Sequence, residues 1–403
     1  MVIGVIDTGI TPTHPSFQSF NEVSAPPVNW FDNCSFGQDV CNNKLIGAMA
    51  FQNGNNPSPL DDIGHGTHCA STAGGSPVYD AGILGQARGT AVRTAPRAHI
   101  SAYKVLYGGQ GWDYDFLVGI DQAVRDGVDV LSMSLSSGAK NFLDSGIAVS
   151  SFYAITKGIV SCACAMNEGP TTKDPIRWKT GQQAKVTVCC ANLASSTDRR
   201  IKVTVELGNG MEIDGESSYQ PDIHNATNLE LVFPRATGRD SDLQCSSLNP
   251  IDVKGKIVLC MVGPISNMEK GELVKAAGGE VMIVMNNIKY GLTMFADPHV
   301  LPAAHISNFD ARRLVSYVQT RNPTASIVFK DTQFGASPAP CIAFFSGRGP
   351  SQYNGGIIKP DIVAPGVNIL AAWPVEVGPN PTGNTTIQRV NITNQRKQNR
   401  KKT

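Results

Sequence analysis

The stretch Val2-Ile-Gly-Val-Ile-Asp-Thr-Gly-Ile10 is a short, nearly continuous apolar segment that ends in an acid and a glycine. Runs of this kind are typical of strands buried on both faces of a parallel sheet. Asp7 would then lie at the carboxyl end of its strand, where open α/β sheets place their chemistry. Asp-Thr-Gly is also the signature of aspartic proteases, but that interpretation needs two such motifs and a mostly β chain, and the sequence contains one.

A second segment, residues 61–74, carries His65 between two glycines and continues into a run of small residues. Flanking glycines allow a sharp turn and leave the imidazole uncovered, and histidine is the side chain best suited to move a proton near neutral pH. Two alternatives stay open at this point. His65 is a hydrogen-bonded structural residue, or it forms a metal pair with His68, although the further partners of a zinc site are absent at familiar spacing.

The middle of the chain alternates between helix and strand patterns. Apolar residues recur at helical spacing over residues 116–126, and Gly127 follows as a helix stop. Residues 128–135 and 158–165 then predict buried strands, and the second of these leads into Asn167. The alternation predicts an α/β protein with a parallel sheet and helices on both faces. An amide at the end of such a strand can donate a hydrogen bond to a developing oxyanion.

Six motifs follow one another in the order found in one protein family. They are Asp7-Thr-Gly9, Gly64-His-Gly-Thr-His68, Asp126-Gly-Val-Asp-Val-Leu-Ser-Met-Ser-Leu135, Asn167-Glu-Gly-Pro170, Phe345-Ser-Gly-Arg-Gly-Pro350 and Lys359-Pro-Asp-Ile-Val-Ala-Pro-Gly-Val-Asn-Ile-Leu-Ala-Ala-Trp373. With this set the chain resembles the subtilisin-like serine proteases of the plant subtilase type. The resemblance implies a subtilisin-like three-layer α/β/α fold with a parallel sheet, interrupted by an inserted smaller protease-associated domain.

The resemblance also implies a chemistry, which is cleavage of peptide bonds by Ser-His-Asp acyl transfer. His65 would take the proton of an attacking serine, and Asp7 would orient the ring and stabilise the imidazolium. Asn167 would hold the oxyanion. Peptides and proteins are the expected substrates, and the mechanism needs no cofactor and no metal.

The same resemblance implies that three residues at the end of the strand predicted over residues 128–135 bind substrate. They are Ser134, Leu135 and Ser136, and the alternative is that they are ordinary strand core. The family usually has two glycines where this chain has Ser136 and Ser137, so we expect a narrower cleft. Met166 stands where the family has a glycine, and residues 171–194 depart from the family pattern. Both changes predict a disturbed oxyanion site.

The segment that carries the family's nucleophilic serine is missing from this chain. In the family this serine lies in a Gly-Thr-Ser-Met segment shortly after the Ala-Ala-Trp motif, and no Gly-Thr-Ser occurs in the 403 residues. We therefore expect that this chain as given does not turn over substrate by that route. The alternative is a catalytically dead homologue, or pseudoprotease, that binds peptides or proteins.

The domain organisation expected from these patterns has four parts. Residues 1–214 form the first part of the catalytic domain, residues 215–331 the protease-associated insertion, and residues 332–380 the second catalytic part, truncated before the nucleophile. Residues 381–403 are a polar, basic tail that we expect to be disordered. Met1 leads straight into the first strand without a signal peptide, so the chain is expected to be truncated at both ends.

The composition and the cysteines indicate which classes of partner and which cellular compartment to expect. A net charge of +1 gives no reason to expect nucleic acid or membrane as a partner, and the oligomeric state is left open. Among ten cysteines, Cys34 and Cys41 flank a short polar loop and Cys245 and Cys260 bracket a second plausible pair, which the resemblance also favours. The alternative is ten reduced thiols. By resemblance the protein is extracellular or in the cell wall, where the sequons at Asn33, Asn225, Asn384 and Asn391 would carry glycans.

Overall fold

The computed structural model describes residues 1–31, 33–37, 39–135, 141–167, 169, 190–221, 227–235, 239–348, 359–374 and 377, with backbone only for residues 190–192. Its strands in chain order are β1 (Val2–Asp7), β2 (Leu45–Ala50), β3 (Val78–Ile83), β4 (Gln86–Ala91), β5 (His99–Lys104), β6 (Val130–Met133), β7 (Val160–Cys164), β8 (Cys190–Ser195), β9 (Arg200–Leu207), β10 (Glu212–Glu216), β11 (Leu229–Val232), β12 (Ile257–Met261), β13 (Val281–Met285), β14 (Ala303–Ile306), β15 (Thr324–Gln333) and β16 (Ile362–Pro365). The helices are α1 (His65–Gly74), α2 (Asp113–Asp126), α3 (Gly146–Thr156), α4 (Asp240–Leu243), α5 (Asn267–Ala276) and α6 (Asn308–Tyr317).

The first structural unit is a seven-stranded sheet with β1 near its centre, in the order β16-β8-β7-β6-β1-β5-β2. Every pairing in it is parallel, and β1 aligns Asp7 with Lys104 of β5 and Ile6 with Met133 of β6. All six residues of β1 are buried. The predicted parallel sheet is confirmed, and the carboxyl ends of β1 and β6 lie side by side.

Helices cover both faces of this sheet. Alternate residues of β1 point to opposite faces, and both sets are buried in apolar cores. Val2 and Ile6 pack in one core with residues of α2 and α3. Ile3 and Val5 pack in a second core with Ala70 of α1. The α/β class with a three-layer arrangement is therefore as expected. The predicted end of α2 is also confirmed, since Gly127 follows it in the left-handed region at φ 82°.

The second unit is a closed barrel with the strand order β10-β14-β13-β12-β11-β15-β9. Its own apolar core contains Val203, Val205, Ile257, Ile283 and Leu314 among others. Helices α5 and α6 begin after Ser266 and Ser307, whose hydroxyls accept from the backbone amides of Glu269 and Asp310. Each hydroxyl thereby satisfies an amide that has no partner inside the helix.

The barrel begins earlier than the predicted boundary at residue 215. That boundary cuts β10, which pairs with β9 on one side and β14 on the other, and β9 also pairs with β15. Residues 200–207 therefore belong to the barrel and not to the seven-stranded sheet. The sequence does not reveal this because an alternating strand such as β9 fits either sheet, and only its long-range partner decides. The tail at 381–403 lies outside the described residues.

Both predicted disulfides are present. Cys34 joins Cys41 with their Cα atoms 6.2 Å apart, and Cys245 joins Cys260 at 5.4 Å. The interpretation of ten reduced thiols is therefore wrong, and the described cysteines that form no disulfide are Cys69, Cys162, Cys164 and Cys341. None of the helices described here is long and apolar enough to cross a bilayer.

Candidate active site

Asp7 and His65, far apart in sequence, are in direct contact. Asp7 is the last residue of β1 and is 1% exposed, and its Oδ1 lies 2.6 Å from Nδ1 of His65 at the first position of α1. Because a carboxylate only accepts, Nδ1 carries the proton and donates it. The remaining ring nitrogen, Nε2, then has a free lone pair in the neutral ring, which is the tautomer that a general base needs.

The charge of Asp7 also sets the proton affinity of His65. Burial disfavours the charged ring, but the negative charge and the hydrogen bond of Asp7 outweigh it, with a further contribution from Cys69. Together they hold the pKa of His65 well above its ordinary value of 6.5. An imidazolium at this position is therefore stabilised, which is what a base that acquires a proton during a reaction requires.

The start of α1 depends on two glycines. Gly64 precedes the helix at φ 95°, and a Cβ added there would lie 2.5 Å from the Trp373 ring. Gly66 lies directly against the backbone carbonyl of Gly9, which a side chain would displace. Glycine at both positions lets α1 approach the end of β1 closely enough for the contact between His65 and Asp7.

Asp61, to which the sequence motifs gave no role, anchors this helix start. Its Oδ1 accepts from the Gly64 amide and the Thr8 hydroxyl, both at 2.8 Å, and its Oδ2 accepts from the amide and hydroxyl of Thr67 at 2.8 and 2.6 Å. Thr8 Oγ1 in turn accepts from the Gly66 amide at 2.8 Å. An acid just before a helix start is a capping signal, and it was available in the sequence.

Ser134 lies next to the free nitrogen of His65. It follows β6, is half-buried, and has its Oγ 3.4 Å from His65 Nε2, where the hydroxyl can donate to the ring. Leu135 is 4% exposed, and its side chain packs in the core between the sheet and α2. Ser136, the third predicted substrate-binding residue, lies outside the described residues.

Asn167 is exposed and follows a turn with unusual backbone geometry. Met166 has φ 67°, in the left-handed region that favours glycine. The Met166 carbonyl accepts from the Gly347 amide at 2.9 Å, so the described part of the Phe345–Pro350 motif contacts this turn through Gly347. Met166 thus carries a side chain in a backbone conformation that favours glycine. Residues 171–189 of the divergent segment lie outside the described residues.

Comparison with known proteins decides the family. Residues 1–402 match the subtilase family, peptidase S8. The chain belongs to the subtilase family. It is 40% identical over 412 residues to subtilisin-like protease SBT1.5 of Arabidopsis thaliana, covering 94% of this chain and 52% of the relative. It is 38% identical over 402 residues to subtilisin-like protease SBT1.7 of the same plant, with the same coverage.

This subtilase chain therefore spans about half the length of the curated relatives it matches, 52% for the first two. A solved structure also matches, that of the psychrophilic subtilisin-like protease Apa1 from the Antarctic psychrotroph Pseudoalteromonas sp. AS-11. It is 17% identical, covers 83% of this chain and 78% of the other, and has a TM-score of 0.38.

The second histidine of the subtilase motif, His68, has different partners from His65. It is 5% exposed, and its Nε2 donates to the Ile369 carbonyl at 3.3 Å while Trp373 packs edge-on at 6.4 Å. Burial, with the nearby charge of His65, lowers the pKa of His68 to about 4. Its described contacts are those of a neutral packing residue, and they give the His65–His68 metal pair no support.

The segment that covers α1 is also tied to the barrel. Ala372 donates its amide to Ser71 Oγ of α1 at 2.9 Å, and Arg93 donates to the Leu370 carbonyl at 2.7 Å. Upstream, Asn368 accepts from the Ala296 amide at 3.2 Å and donates to Glu216 at 2.9 Å. A continuous set of contacts thus runs from the barrel to the helix that carries His65.

Proposed function

We propose that this protein is a serine endopeptidase of the subtilisin type in which Asp7 and His65 form the base. The observation that supports this role is the 2.6 Å contact between Asp7 Oδ1 and His65 Nδ1 at the carboxyl end of a central buried strand. It selects the tautomer with a free Nε2 and stabilises the imidazolium that forms. These are the two properties by which an Asp–His pair activates a hydroxyl nucleophile.

In the proposed reaction His65 Nε2 takes the proton of a serine hydroxyl as that serine attacks a peptide carbonyl. His65 then returns the proton to the leaving amine, and Asp7 stabilises the charged ring between these steps. Asn167 donates its amide hydrogens to the oxyanion, for which its exposed position gives access. A single oxyanion donor of this kind lowers the activation barrier by about 3 kcal/mol in subtilisin.

The substrates in this proposal are peptides and proteins, and Ser134 is the described residue best placed to touch them. Its hydroxyl points to the same ring nitrogen that a nucleophile would use. Leu135 would contribute backbone groups, because its side chain is in the core, and Ser136 stays a proposed substrate-binding residue outside the described part of the chain. We also propose that the barrel over residues 200–333 is the protease-associated insertion.

The 403 residues contain no Gly-Thr-Ser segment, so we propose that this chain as given does not form an acyl-enzyme. The alternative is a pseudoprotease that only binds peptides or proteins. It is favoured by Met166, whose left-handed backbone conformation carries a side chain next to the oxyanion residue. An extracellular or cell-wall location is proposed on the two disulfides, which form and persist in oxidising compartments.

Labelling with a fluorescent fluorophosphonate tests this function. The chain as given is compared with a chimaera that carries the family's Gly-Thr-Ser-Met segment, and with the His65→Ala variant of that chimaera. We expect labelling of the chimaera alone. Equal labelling of the chimaera and its His65→Ala variant would contradict the role of His65. Labelling of the unmodified chain, mapped by mass spectrometry, would show that another serine, such as Ser134, is the nucleophile.

A further inference from the structure

The thiol of Cys69 lies beside the nitrogen that His65 directs toward Asp7. Its Sγ is 3.8 Å from Nδ1, and the donor atoms of Asp7, His65 and Cys69 all lie within 4.8 Å of one another. The placement follows from helix geometry, since residues 65 and 69 are four apart in α1 and share one face. Three different metal-ligand side chains therefore converge on one point beneath the imidazole.

One of these ligand side chains, that of Asp7, has an oxygen without a hydrogen-bond partner among the described residues. Asp7 Oδ2 is buried and has no hydrogen-bond partner among the described residues, whereas Oδ1 accepts from both the Thr8 amide and His65. Burying a carboxylate oxygen without a partner is unfavourable. A cation bound between this carboxylate and the thiol would offset that cost.

We infer that Asp7, His65 and Cys69 form a binding site for a thiophilic divalent cation of the zinc type. Carboxylate, imidazole and thiolate are the donors that Zn²⁺ takes in proteins, and around a tetrahedral ion its N and S donors stand about 3.6 Å apart. The separation of 3.8 Å between Nδ1 and Sγ is close to this value. The carboxylate must move away from its 2.6 Å contact with Nδ1, so the ion replaces the hydrogen bond between Asp7 and His65.

Binding at this site changes the protonation of two groups. The Cys69 thiol releases its proton to solvent, because zinc binds the thiolate. An imidazolium ring of His65 releases its Nδ1 proton to solvent and keeps the hydrogen on Nε2. A neutral ring loses the proton from Nδ1 and takes one up at Nε2, so both forms end as the same neutral tautomer. Nε2 then carries a hydrogen and cannot accept one. The ion therefore removes His65 as a base, which makes the site inhibitory.

Metal binding to the full 403-residue chain tests the site without a peptide substrate. Zn²⁺ is titrated against a chromophoric chelator, and Co²⁺ serves as a spectroscopic probe. We expect a thiolate-to-cobalt charge-transfer band, and a loss of affinity of about 100-fold with loss of the band in Cys69→Ser. Cys341→Ser, which removes another partly buried free thiol, is the matched control and should change neither. Unaltered affinity and band in Cys69→Ser would overturn the site.

A second measurement uses the unmodified chain and so does not depend on how a variant folds. Zinc at ten times its dissociation constant should slow the alkylation of Cys69 by iodoacetamide about tenfold, while Cys341 in the same sample reacts at an unchanged rate. Equal rates at Cys69 with and without zinc would overturn the site. Neither readout involves peptide cleavage, so failure of the metal site and failure of the proposed endopeptidase function are distinguishable.

Discussion

The side-chain amide of Asn368 donates a hydrogen bond of 2.9 Å to the carboxylate of Glu216, 152 residues earlier in the chain. Glu216 is 1% exposed and also accepts from Arg200 at 2.8 Å. Glu216 belongs to the barrel, and Asn368 begins the segment that reaches Trp373 over the start of α1. The barrel is therefore part of the support of the helix that carries His65.

Replacing Asn368 by alanine should destabilise the protein by about 3 kcal/mol, because it leaves a buried carboxylate short of a donor and puts alanine at φ 56°. Asn322→Ala is the matched control, since Asn322 is exposed and has φ 52°. It should cost about 1 kcal/mol. Urea unfolding of both variants measures the difference, and equal losses would mean that the contact with Glu216 contributes nothing.

Acid should destabilise the protein through its buried histidines, of which His14 gives a clean test. Burial, with the positive charge of Arg93, lowers the pKa of His14 from 6.5 to about 4. The folded state thus binds the proton more weakly than the unfolded chain, so this stabilisation is full above pH 6.5 and is lost as the pH falls toward 4. The loss between pH 7 and 4 is about 3 kcal/mol.

The variant His14→Asn removes this titration while keeping an acceptor for the Ser16 amide, which now donates to His14 Nδ1 at 3.1 Å. Its free energy of unfolding should therefore fall less steeply with acid than that of the parent chain. Urea unfolding at a series of pH values makes the comparison. Parallel pH profiles for the two proteins would refute the assignment.

Lys44 should be a strong stabilising residue despite its charge. It is fully buried, and its Nζ donates to the carbonyls of Gly74, Pro96 and Ala98 at 2.9, 2.6 and 2.5 Å. Lys44→Met leaves three acceptors unsatisfied and should cost about 3 kcal/mol or more. Thermal unfolding is compared with Lys275→Met, which removes one exposed contact to the Val300 carbonyl. Similar losses in the two variants would rule out the three-carbonyl explanation.

Asp61 should be required for the start of α1. Asp61→Ala removes the acceptors of Gly64, Thr67 and Thr8 in a buried position and should destabilise the fold by about 3 kcal/mol. The neighbouring Asp62 is exposed and contacts Lys104 at 2.9 Å, so Asp62→Ala should cost under about 1 kcal/mol. Chemical denaturation measures the free energy of unfolding of both variants. The prediction fails if Asp62→Ala is the less stable of the two.

The sequon at Asn33 should remain unmodified in the folded protein. The nitrogen that would carry a glycan, Asn33 Nδ2, donates to Asp126 at 2.7 Å in a partly buried position. A glycan there would break the contact and leave the Asp126 carboxylate, 5% exposed, with one donor fewer. Intact-protein mass after expression through a secretory pathway, before and after enzymatic deglycosylation, measures occupancy. A glycan on Asn33 in folded material would show that the contact does not form.

Several strands and helices of the sheet unit, β1 and α2 among them, could be predicted because their signals are local. The first five residues of the buried strand β1 form one apolar run that ends at Asp7, and α2 shows helical spacing up to Gly127. Asp7 and His65 were recognisable because a carboxylate at a strand end and a histidine between glycines are unusual combinations in themselves. The two disulfide pairs were likewise close in sequence, with separations of 7 and 15 residues.

By itself, then, the sequence determined the alternation of elements, the short-range pairs and the identity of the reactive side chains. Only the tertiary structure decided which sheet takes β9, that Asn368 meets Glu216, and that Cys69 shares the Nδ1 side of His65 with Asp7. The physical reason is the range of the interactions. Periodicity and turn chemistry act within a few residues, whereas a barrel partner or a buried polar contact forms between segments that only the complete packing brings together.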